Sequence, residues 1–304
     1  MPLPPPSSRA DLLDPATLAA LGSLELVARF MVDGFLTGLH RSPRRGFSVE
    51  FAEHRAYQPG DDLRYLDWRV AARSDRWLVK QYEEETNLRA FLVVDTSRSM
   101  QWTGAPTRLT KLAYAERIAA AVALLLLRQR DAVGLVLFDS APRTVVPPRA
   151  RRQQWHRLVA ALDAGGQHTS TDPAAGLRAA AQLLARPGLA ILLSDLLAAP
   201  DETHRAITAL RGAGHDVLVL HVLDPDECAL PTVRDATFVD PESGQALHAV
   251  TADVRDAYQR AVTRNIAAHR DACAAAGAGY AMVTTDQPFV VPLRTAFLAR
   301  QRLP

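Results

Sequence analysis

The chain has 304 residues, of which 48% are hydrophobic and 22% are charged, and its formal net charge is +2. This composition indicates a globular protein with at least one large core and argues against a disordered chain. The nearly even charge does not favour a dedicated nucleic-acid binder, which usually has a concentrated basic face.

Hydrophobic patterning divides the chain into three segments. We expect a disordered tail over residues 1–10, an N-terminal helix with a charged, aromatic subdomain over 11–86, and a regular α/β domain over 87–304. Strands are predicted at Leu88–Asp95, Val133–Phe138, Thr144–Val146, Leu189–Leu193, Val217–Leu223 and Tyr280–Thr284. Helices are predicted at Thr107–Arg130, Arg152–Asp163, Asp172–Leu184, Asp201–Arg211, Ala252–Ala276 and Pro292–Arg302.

The alternation of strands and helices predicts the architecture of the third segment. Strands that are apolar on both faces and separated by helices indicate a parallel sheet covered on two sides. The expected fold class is α/β, with a doubly wound, mostly parallel sheet flanked by helices and a small N-terminal α+β subdomain. Sheets of this kind bind ligands in the crevice beyond the carboxyl ends of their strands.

A carboxylate and two hydroxyl groups follow the first strand of this domain. The apolar run Phe91–Val94 ends on Asp95, and Ser97 and Ser99 follow at alternate positions. Three oxygen ligands therefore meet above the sheet edge, and oxygen is the ligand atom that suits Mg²⁺ and also Mn²⁺. The pattern predicts a metal-dependent adhesion site and not a catalytic pocket.

Two other segments can supply oxygen atoms to the same crevice. Asp195 follows the strand Leu189–Leu193, just as Asp95 follows its own strand. The loop that begins at Gly165 carries Thr169, Ser170 and Thr171 immediately before a helix. Any one of these three hydroxyl groups could reach the crevice.

Together these positions resemble the metal-site signature of the von Willebrand factor A domain. The ligands that the resemblance implies are Asp95, Ser97, Ser99, Thr171 and Asp195. Segment Thr171–Leu177 resembles the family's Thr-Asp-x-x-x-x-Leu helix entry, which favours Thr171 as the loop ligand, with Thr169 as its rival. In that family the hydroxyl groups touch the metal directly, the aspartates often act through water, and a partner's carboxylate completes the coordination shell.

The segment before the first strand resembles a bacterial family catalogued as domain of unknown function 58. The resemblance rests on Glu-x-Arg-x-Tyr-x-Pro-Gly-Asp-Asp-x-Arg-x-Leu-Asp-Trp, which runs from Glu53 to Trp68. With the metal motif, it spans roughly residues 40–200. Members of that family commonly accompany MoxR-type AAA+ ATPases, so the resemblance implies such an ATPase as partner. Many members carry transmembrane helices, and none is predicted here.

Charged and aromatic side chains alternate within this upstream segment. Arginines and aspartates are mixed with rings between Arg55 and Trp77, and Pro59-Gly60-Asp61 predicts a turn. Bidentate arginine–carboxylate pairs stacked on rings would hold such a segment together. We expect a structural ion-pair network, with a surface for binding the ATPase as the alternative.

Two basic clusters, at residues 40–45 and 149–152, offer an alternative function. They could bind the phosphates of nucleic acid or of anionic lipids. Because charge is nearly balanced along the chain, we expect both clusters to be solvated loops. His168 and the run Glu83–Glu85 are likewise expected to be ordinary exposed residues.

A hydrolase is the second alternative. Phosphatases of the haloacid-dehalogenase type also keep a nucleophilic aspartate at a strand end, where Mg²⁺ neutralises charge. Those enzymes need a second aspartate two residues later, and this chain has Ser97 there. No lysine or acidic pair occurs in the arrangement that such a mechanism needs, so we expect neither enzymatic activity nor catalytic residues.

Cysteine usage and apolar runs predict the compartment. Cys228 and Cys273 lack metal-ligand spacing and are expected to be reduced. The first eight residues show no basic head followed by an apolar block, so no secretory signal is expected. The longest apolar run, Ile118–Leu127, is about half the length that crosses a bilayer. We therefore expect a cytoplasmic protein without a transmembrane segment.

These observations combine into one functional hypothesis. The chain is expected to be a non-enzymatic protein-binding module whose Mg²⁺ or Mn²⁺ keeps one coordination position open. A Glu or Asp of a partner protein would occupy that position. Neutral hydroxyl ligands leave the ion electron-poor, so it attracts an incoming carboxylate strongly.

Overall fold

A computed structural model describes most of the chain. The described residues are 15, 23–40, 54–56, 77–80, 88–151, 153–164, 170–184, 186–197, 200–230, 235–240 and 244–301. The predicted tail, most of the charged and aromatic segment, and the loop residues 165–169 lie outside these ranges. Residues 41–45 and Arg152 of the basic clusters, and the run Glu83–Glu85, also lie outside them.

The chain divides into two compact units. One comprises residues 1–37 and 87–304, and the other comprises residues 38–86. Helix α1 (Leu24–His40) therefore belongs, up to residue 37, to the larger unit, whereas the sequence analysis grouped the N-terminal helix with the charged segment. In the smaller unit, β1 (His54–Ala56) pairs antiparallel with β2 (Leu78–Lys80).

A six-stranded, mostly parallel sheet forms the centre of the larger unit. The strands of this unit are β3 (Arg89–Asp95), β4 (Ala132–Phe138), β5 (Pro142–Arg149), β6 (Leu189–Ser194), β7 (Asp216–Leu223), β8 (Asp235–Val239), β9 (Ala246–Val250) and β10 (Gly279–Thr284). The sheet has the order β10-β7-β6-β3-β4-β5, and only its edge strand β5 runs antiparallel to its neighbour. Strands β8 and β9 form a separate antiparallel pair.

Helices flank this sheet. They are α2 (Lys111–Arg128), α3 (Gln153–Asp163), α4 (Pro173–Leu183), α5 (Pro200–Gly212), α6 (Pro225–Cys228), α7 (Thr251–Ala275) and α8 (Val290–Gln301). The predicted mostly parallel sheet with flanking helices is thus confirmed. The predicted helix Thr107–Arg130 begins later, at Lys111, because the hydroxyl of Thr110 caps it. In the described part of the chain, no helix has both the length and the apolarity that a membrane span requires.

Strand order explains where a ligand crevice should lie. From β3 the chain continues to β4 and β5 on one side, and then returns to β6 on the other side of β3. The carboxyl ends of β3 and β6 therefore flank the point where the strand order reverses. In open α/β sheets, ligands bind at such a point.

Helix α4 lies very close to the sheet at Gly176. A Cβ atom at this position would be 2.5 Å from Cδ1 of Phe138 and 2.9 Å from Cγ1 of Val93. Both neighbouring side chains are fully buried, so neither can move away without disturbing the core. Since α4 begins two residues after Thr171, this close approach also positions the loop of the predicted metal site.

We therefore expect Gly176→Ala to destabilise the protein, because the added methyl group overpacks the contact with Phe138. The expected loss is about 1–3 kcal/mol in the free energy of unfolding, measured by urea denaturation followed by circular dichroism. The matched control is Gly212→Ala at the end of α5, where an added Cβ meets nothing within 4 Å. The control should be as stable as the wild type or slightly more stable. A Gly176→Ala protein with unchanged stability would contradict this description of the packing.

Candidate metal centre

The carboxylate of Asp95 joins three elements of the fold. Asp95 is the last residue of β3, and it is fully buried. Its Oδ1 accepts a hydrogen bond of 2.9 Å from the backbone N–H of Ser97. Its Oδ2 accepts hydrogen bonds from the hydroxyl groups of Ser194, at 2.6 Å, and Thr171, at 2.7 Å. The ends of β3 and β6 and the loop before α4 therefore meet at one carboxylate.

The two predicted serine ligands lie side by side. Ser97 and Ser99 are both buried, and their hydroxyl oxygens are 3.1 Å apart. The hydroxyl of Thr96 instead donates to the backbone oxygen of Phe138 in β4, at 2.9 Å. Thr96, which lies between Asp95 and Ser97 in the chain, therefore fastens the turn to β4 and does not join the pair of serines.

The loop before α4 is fixed at Thr171 and at Asp172. The backbone N–H of Asp172 donates to the backbone oxygen of Asp139 at 2.8 Å, and the Asp172 side chain caps α4. Thr171 itself donates to Asp95, as described above. The alternative ligand Thr169 lies outside the described residues, as does His168.

Asp195 lies directly after β6 and is also fully buried. Its Oδ2 accepts a hydrogen bond of 2.8 Å from Nζ of Lys111. The backbone oxygen of Asp195 lies 2.9 Å from Nε2 of His221. Because a carbonyl oxygen can only accept, Nε2 carries the proton, and Nδ1 of the neutral ring accepts a hydrogen bond of 2.8 Å from the Tyr280 hydroxyl. Burial and the neighbouring His269 lower the pKa of His221 to about 4, so this imidazole is neutral at pH 7.

Lys111 is a component of this site that the sequence analysis missed. It is the first residue of α2, is fully buried, and lies with Nζ 2.8 Å from Asp195 and 2.5 Å from Glu227. Burial acts to lower the pKa of Lys111, but the charges of Asp195 and Glu227 outweigh burial and raise the pKa above its ordinary value. The side chain is therefore a permanent cation beside one of the predicted ligands. The other carboxylate oxygen of Glu227 accepts from the backbone N–H of Asp224 at 2.9 Å, in a capping box that holds α6 in place.

The two aspartates at the strand ends lie close enough to repel each other. Burial, followed by the charge of Asp195, raises the pKa of Asp95 from 3.8 to about 6, although hydrogen bonds from Ser194 and Ser97 oppose the rise. Negative charge at the crevice is therefore only partly compensated by protein groups. Such a carboxylate favours binding of a cation.

The chemistry of the donor atoms fits a hard divalent cation. The predicted ligands offer two carboxylates and three hydroxyl groups, on Asp95, Ser97, Ser99, Thr171 and Asp195. Oxygen atoms of this kind suit Mg²⁺ or Mn²⁺. Over the described residues, no group of three or more His, Cys, Asp or Glu side chains could hold a metal ion, so a site here would depend on its hydroxyl groups.

Hydrogen bonds join some of the predicted ligands to each other, whereas Asp195 is hydrogen-bonded to Lys111. Hydrogen bonds link Asp95 to Thr171 and to the backbone of Ser97, and the serine hydroxyls to each other. Asp195 lies within electrostatic range of Asp95, but one of its oxygens contacts Lys111. Ser194 was not among the predicted site residues, although its place beside Asp195 at the end of an apolar strand could have indicated it.

Relatives of this chain include two that match it along nearly its whole length and a third that matches about half of it. It is 33% identical over 303 residues to the uncharacterized protein Rv1480 of Mycobacterium tuberculosis (strain H37Rv), a match that covers 98% of this chain and 94% of that protein. The uncharacterized protein Mb1516 of Mycobacterium bovis matches with the same identity and coverage. The uncharacterized protein MAV169 of Mycobacterium avium is 28% identical over 163 residues, which cover 52% of this chain and 95% of that protein.

A solved structure shares the fold of this chain. It is a crystal structure described as an aerotolerance-related membrane protein from Bacteroides fragilis, with multiple mutations to serines. It matches with a TM-score of 0.50 and 15% identity, and covers 71% of this chain and 100% of that chain. At this level of identity the match shows a common fold and nothing more specific.

A family match covers both the upstream segment and the crevice. The family described as "Protein of unknown function DUF58" matches residues 53–268, which is more than half of the chain. That range contains the segment from Glu53 to Trp68 as well as Asp95 and Asp195. The chain belongs to the DUF58 family.

Proposed function

We propose that the larger unit is a von Willebrand factor A-like domain that binds proteins through a metal ion. Mg²⁺, or Mn²⁺, would be held by Asp95, Ser97, Ser99, Thr171 and Asp195. The ion would supply a Lewis-acidic position for a Glu or Asp side chain of a partner. Binding would then require both the ion and the acidic residue.

Convergence at Asp95 is the observation that supports this proposal most strongly. A single buried carboxylate accepts hydrogen bonds from the backbone of Ser97 and from the hydroxyl of Thr171, which are 74 residues apart along the chain. Burying a charged carboxylate is costly unless it is paired or coordinates a metal. A divalent cation among these oxygens would neutralise both strand-end aspartates.

The same contacts favour a binding module over a hydrolase. Both oxygens of Asp95 already accept hydrogen bonds, from Ser97, Thr171 and Ser194, which lowers their reactivity as nucleophiles. The buried Lys111 contacts Asp195 and not Asp95, so it does not activate a nucleophile there. We therefore propose a non-enzymatic role.

The proposed partner is a MoxR-type AAA+ ATPase, which the resemblance to the DUF58 signature implies. An adaptor of such an ATPase in the assembly or maturation of protein complexes would need a switchable contact, and a metal-dependent carboxylate contact provides one. We place this function in the cytoplasm. Neither basic cluster is assigned a role in it.

Adding Mg²⁺ is expected to raise the melting temperature of the protein. A ligand that binds only the folded state at ten times its Kd stabilises by about 1.4 kcal/mol, which corresponds to a shift of a few degrees. Differential scanning fluorimetry in millimolar Mg²⁺ measures this shift, and Asp95→Ala should abolish it. Asp216→Asn is the control. Asp216 is the first residue of β7, at the end of the sheet opposite the crevice, where it pairs with Arg211, so removing its charge should leave the Mg²⁺ response intact. An undiminished response in Asp95→Ala would contradict the proposed site.

The Mg²⁺ response is also expected to depend on pH. Because the folded-state pKa of Asp95 is raised to about 6, the stability that this group contributes in the absence of metal is complete below about pH 4 and is lost as the pH rises through about 6. Mg²⁺ must displace the proton at low pH, so the rise in melting temperature should be smaller at about pH 5 than at about pH 7.5. Asp95→Asn should remove this difference. Equal Mg²⁺ shifts of the wild type at both pH values would show that the ion does not compete with a proton on Asp95, and would contradict the role of Asp95 as a ligand.

A direct test of the partner is a pull-down of a MoxR-type AAA+ ATPase from the same organism with the purified protein. We expect recovery in Mg²⁺ and loss in EDTA, and Thr171→Ala should weaken recovery because it removes a neutral ligand. Asp216→Asn should behave as the wild type. Equal recovery in both buffers would show that the crevice is not involved and would shift the contact to the charged N-terminal segment.

A further inference from the structure

Lys111 lies beside the candidate metal centre in a setting that strongly constrains it. Its side chain has no exposed surface, and it ends between two carboxylates, at 2.8 Å from Asp195 and 2.5 Å from Glu227. Burying an ammonium group is costly unless it is paired and hydrogen-bonded. The sequence places it at the start of α2, where a lysine ordinarily extends into solvent, so its burial calls for a specific cause.

The charges around Lys111 form one connected group. Asp95 and Asp195 repel each other across the crevice, while Lys111 pairs with both Asp195 and Glu227. When Asp95, Asp195 and Glu227 are all ionised, this group contains three carboxylates and one ammonium group, of which Asp195 and Glu227 contact the ammonium. The excess of two negative charges matches a single divalent cation.

Lys111 and a bound ion would share the carboxylate of Asp195. Because Oδ2 of Asp195 accepts a hydrogen bond from Nζ of Lys111, that oxygen is partly neutralised before any ion arrives. Glu227 competes with Asp195 for the same ammonium group, at 2.5 Å. The strength of the interaction between Lys111 and Asp195 therefore depends on Glu227.

We propose that Lys111 is a positioning residue that sets the cation affinity of this site by holding one oxygen of Asp195. It weakens binding of the ion to the protein alone and leaves the ion electron-poor, so that a partner's carboxylate is needed for tight closure of the coordination shell. This inference rests on the proposed function, because it concerns the same site. It goes beyond that function in assigning the control of affinity to a residue outside the ligand set.

Two substitutions with opposite expected effects test the proposal. Lys111→Met removes the charge and keeps most of the length of the side chain. The variant should bind Mg²⁺ at least about tenfold more tightly than the wild type. Glu227→Gln leaves Lys111 with Asp195 as its remaining charged partner, and it should bind Mg²⁺ several-fold more weakly. Mg²⁺ affinity is measured by isothermal titration calorimetry at about pH 8. This pH matters because burial raises the pKa of Glu227, although Lys111 opposes the rise, and the carboxylates must be ionised.

Arg108→Met serves as the matched control. Arg108 contacts Asp224 at 3.0 Å and Asp226 at 2.6 Å, so the substitution also removes one positive charge from a pair of acidic partners near the crevice. It does not touch Asp195 and should leave the Mg²⁺ affinity within about twofold of the wild type. A general structural weakening would lower affinity in all three variants and would not produce opposite signs.

The outcomes separate this inference from the function on which it rests. A folded Lys111→Met protein with unchanged or weaker Mg²⁺ affinity overturns the inference, even when the wild type binds Mg²⁺ through Asp95. If Lys111→Met lacks a cooperative melting transition, Glu227→Gln decides: weaker binding supports the inference, and unchanged or tighter binding overturns it. If the wild type does not bind Mg²⁺, the proposed function fails, and the inference survives only if Lys111→Met acquires Mg²⁺ binding.

Discussion

The fold and the candidate site both depend on the burial of one carboxylate, that of Asp95. It lies where the strand order reverses, and it receives hydrogen bonds from the turn after β3, from the end of β6 and from the loop before α4. A buried charge must find compensation, and hydrogen bonds supply only part of it here, since the pKa of Asp95 remains raised to about 6. The crevice is therefore organised around negative charge that a cation would stabilise.

Further contacts fix Asp195, the second strand-end carboxylate. The neutral imidazole of His221 donates to the backbone oxygen of Asp195, and Lys111 donates to its side chain. Lys111 in turn connects α2 to Glu227 in α6, and Arg108 connects the preceding loop to Asp224. Lys111 and Arg108 thus connect the segments around the crevice to the acidic groups beside the candidate site.

The sequence predicted the parts of this arrangement that follow a recognisable pattern, including Thr171 and Asp195 through the resemblance to a known signature. Asp95, Ser97 and Ser99 occupy alternate positions directly after an apolar run, so their pattern could be recognised directly. Lys111 could not be found in this way, because its partners lie 84 and 116 residues further along and nothing in its neighbours marks it as buried. The same limit applies to secondary structure. Strands β8 and β9 and helix α6 are absent from the predicted elements. Strand β9 is almost wholly exposed, so its sequence has no alternating apolar face, and α6, with four residues, is too short to show helical periodicity.

The most direct measurement is a crystal structure of the protein grown with Mn²⁺, with diffraction data collected where manganese scatters anomalously. The account predicts one strong anomalous peak at the carboxyl ends of β3 and β6, within coordination distance of the hydroxyl oxygens of Ser97, Ser99 and Thr171, with Asp95 and Asp195 bound directly or through water. A crevice without such a peak at a saturating concentration of Mn²⁺, with Thr171 still bonded to Asp95, would contradict it.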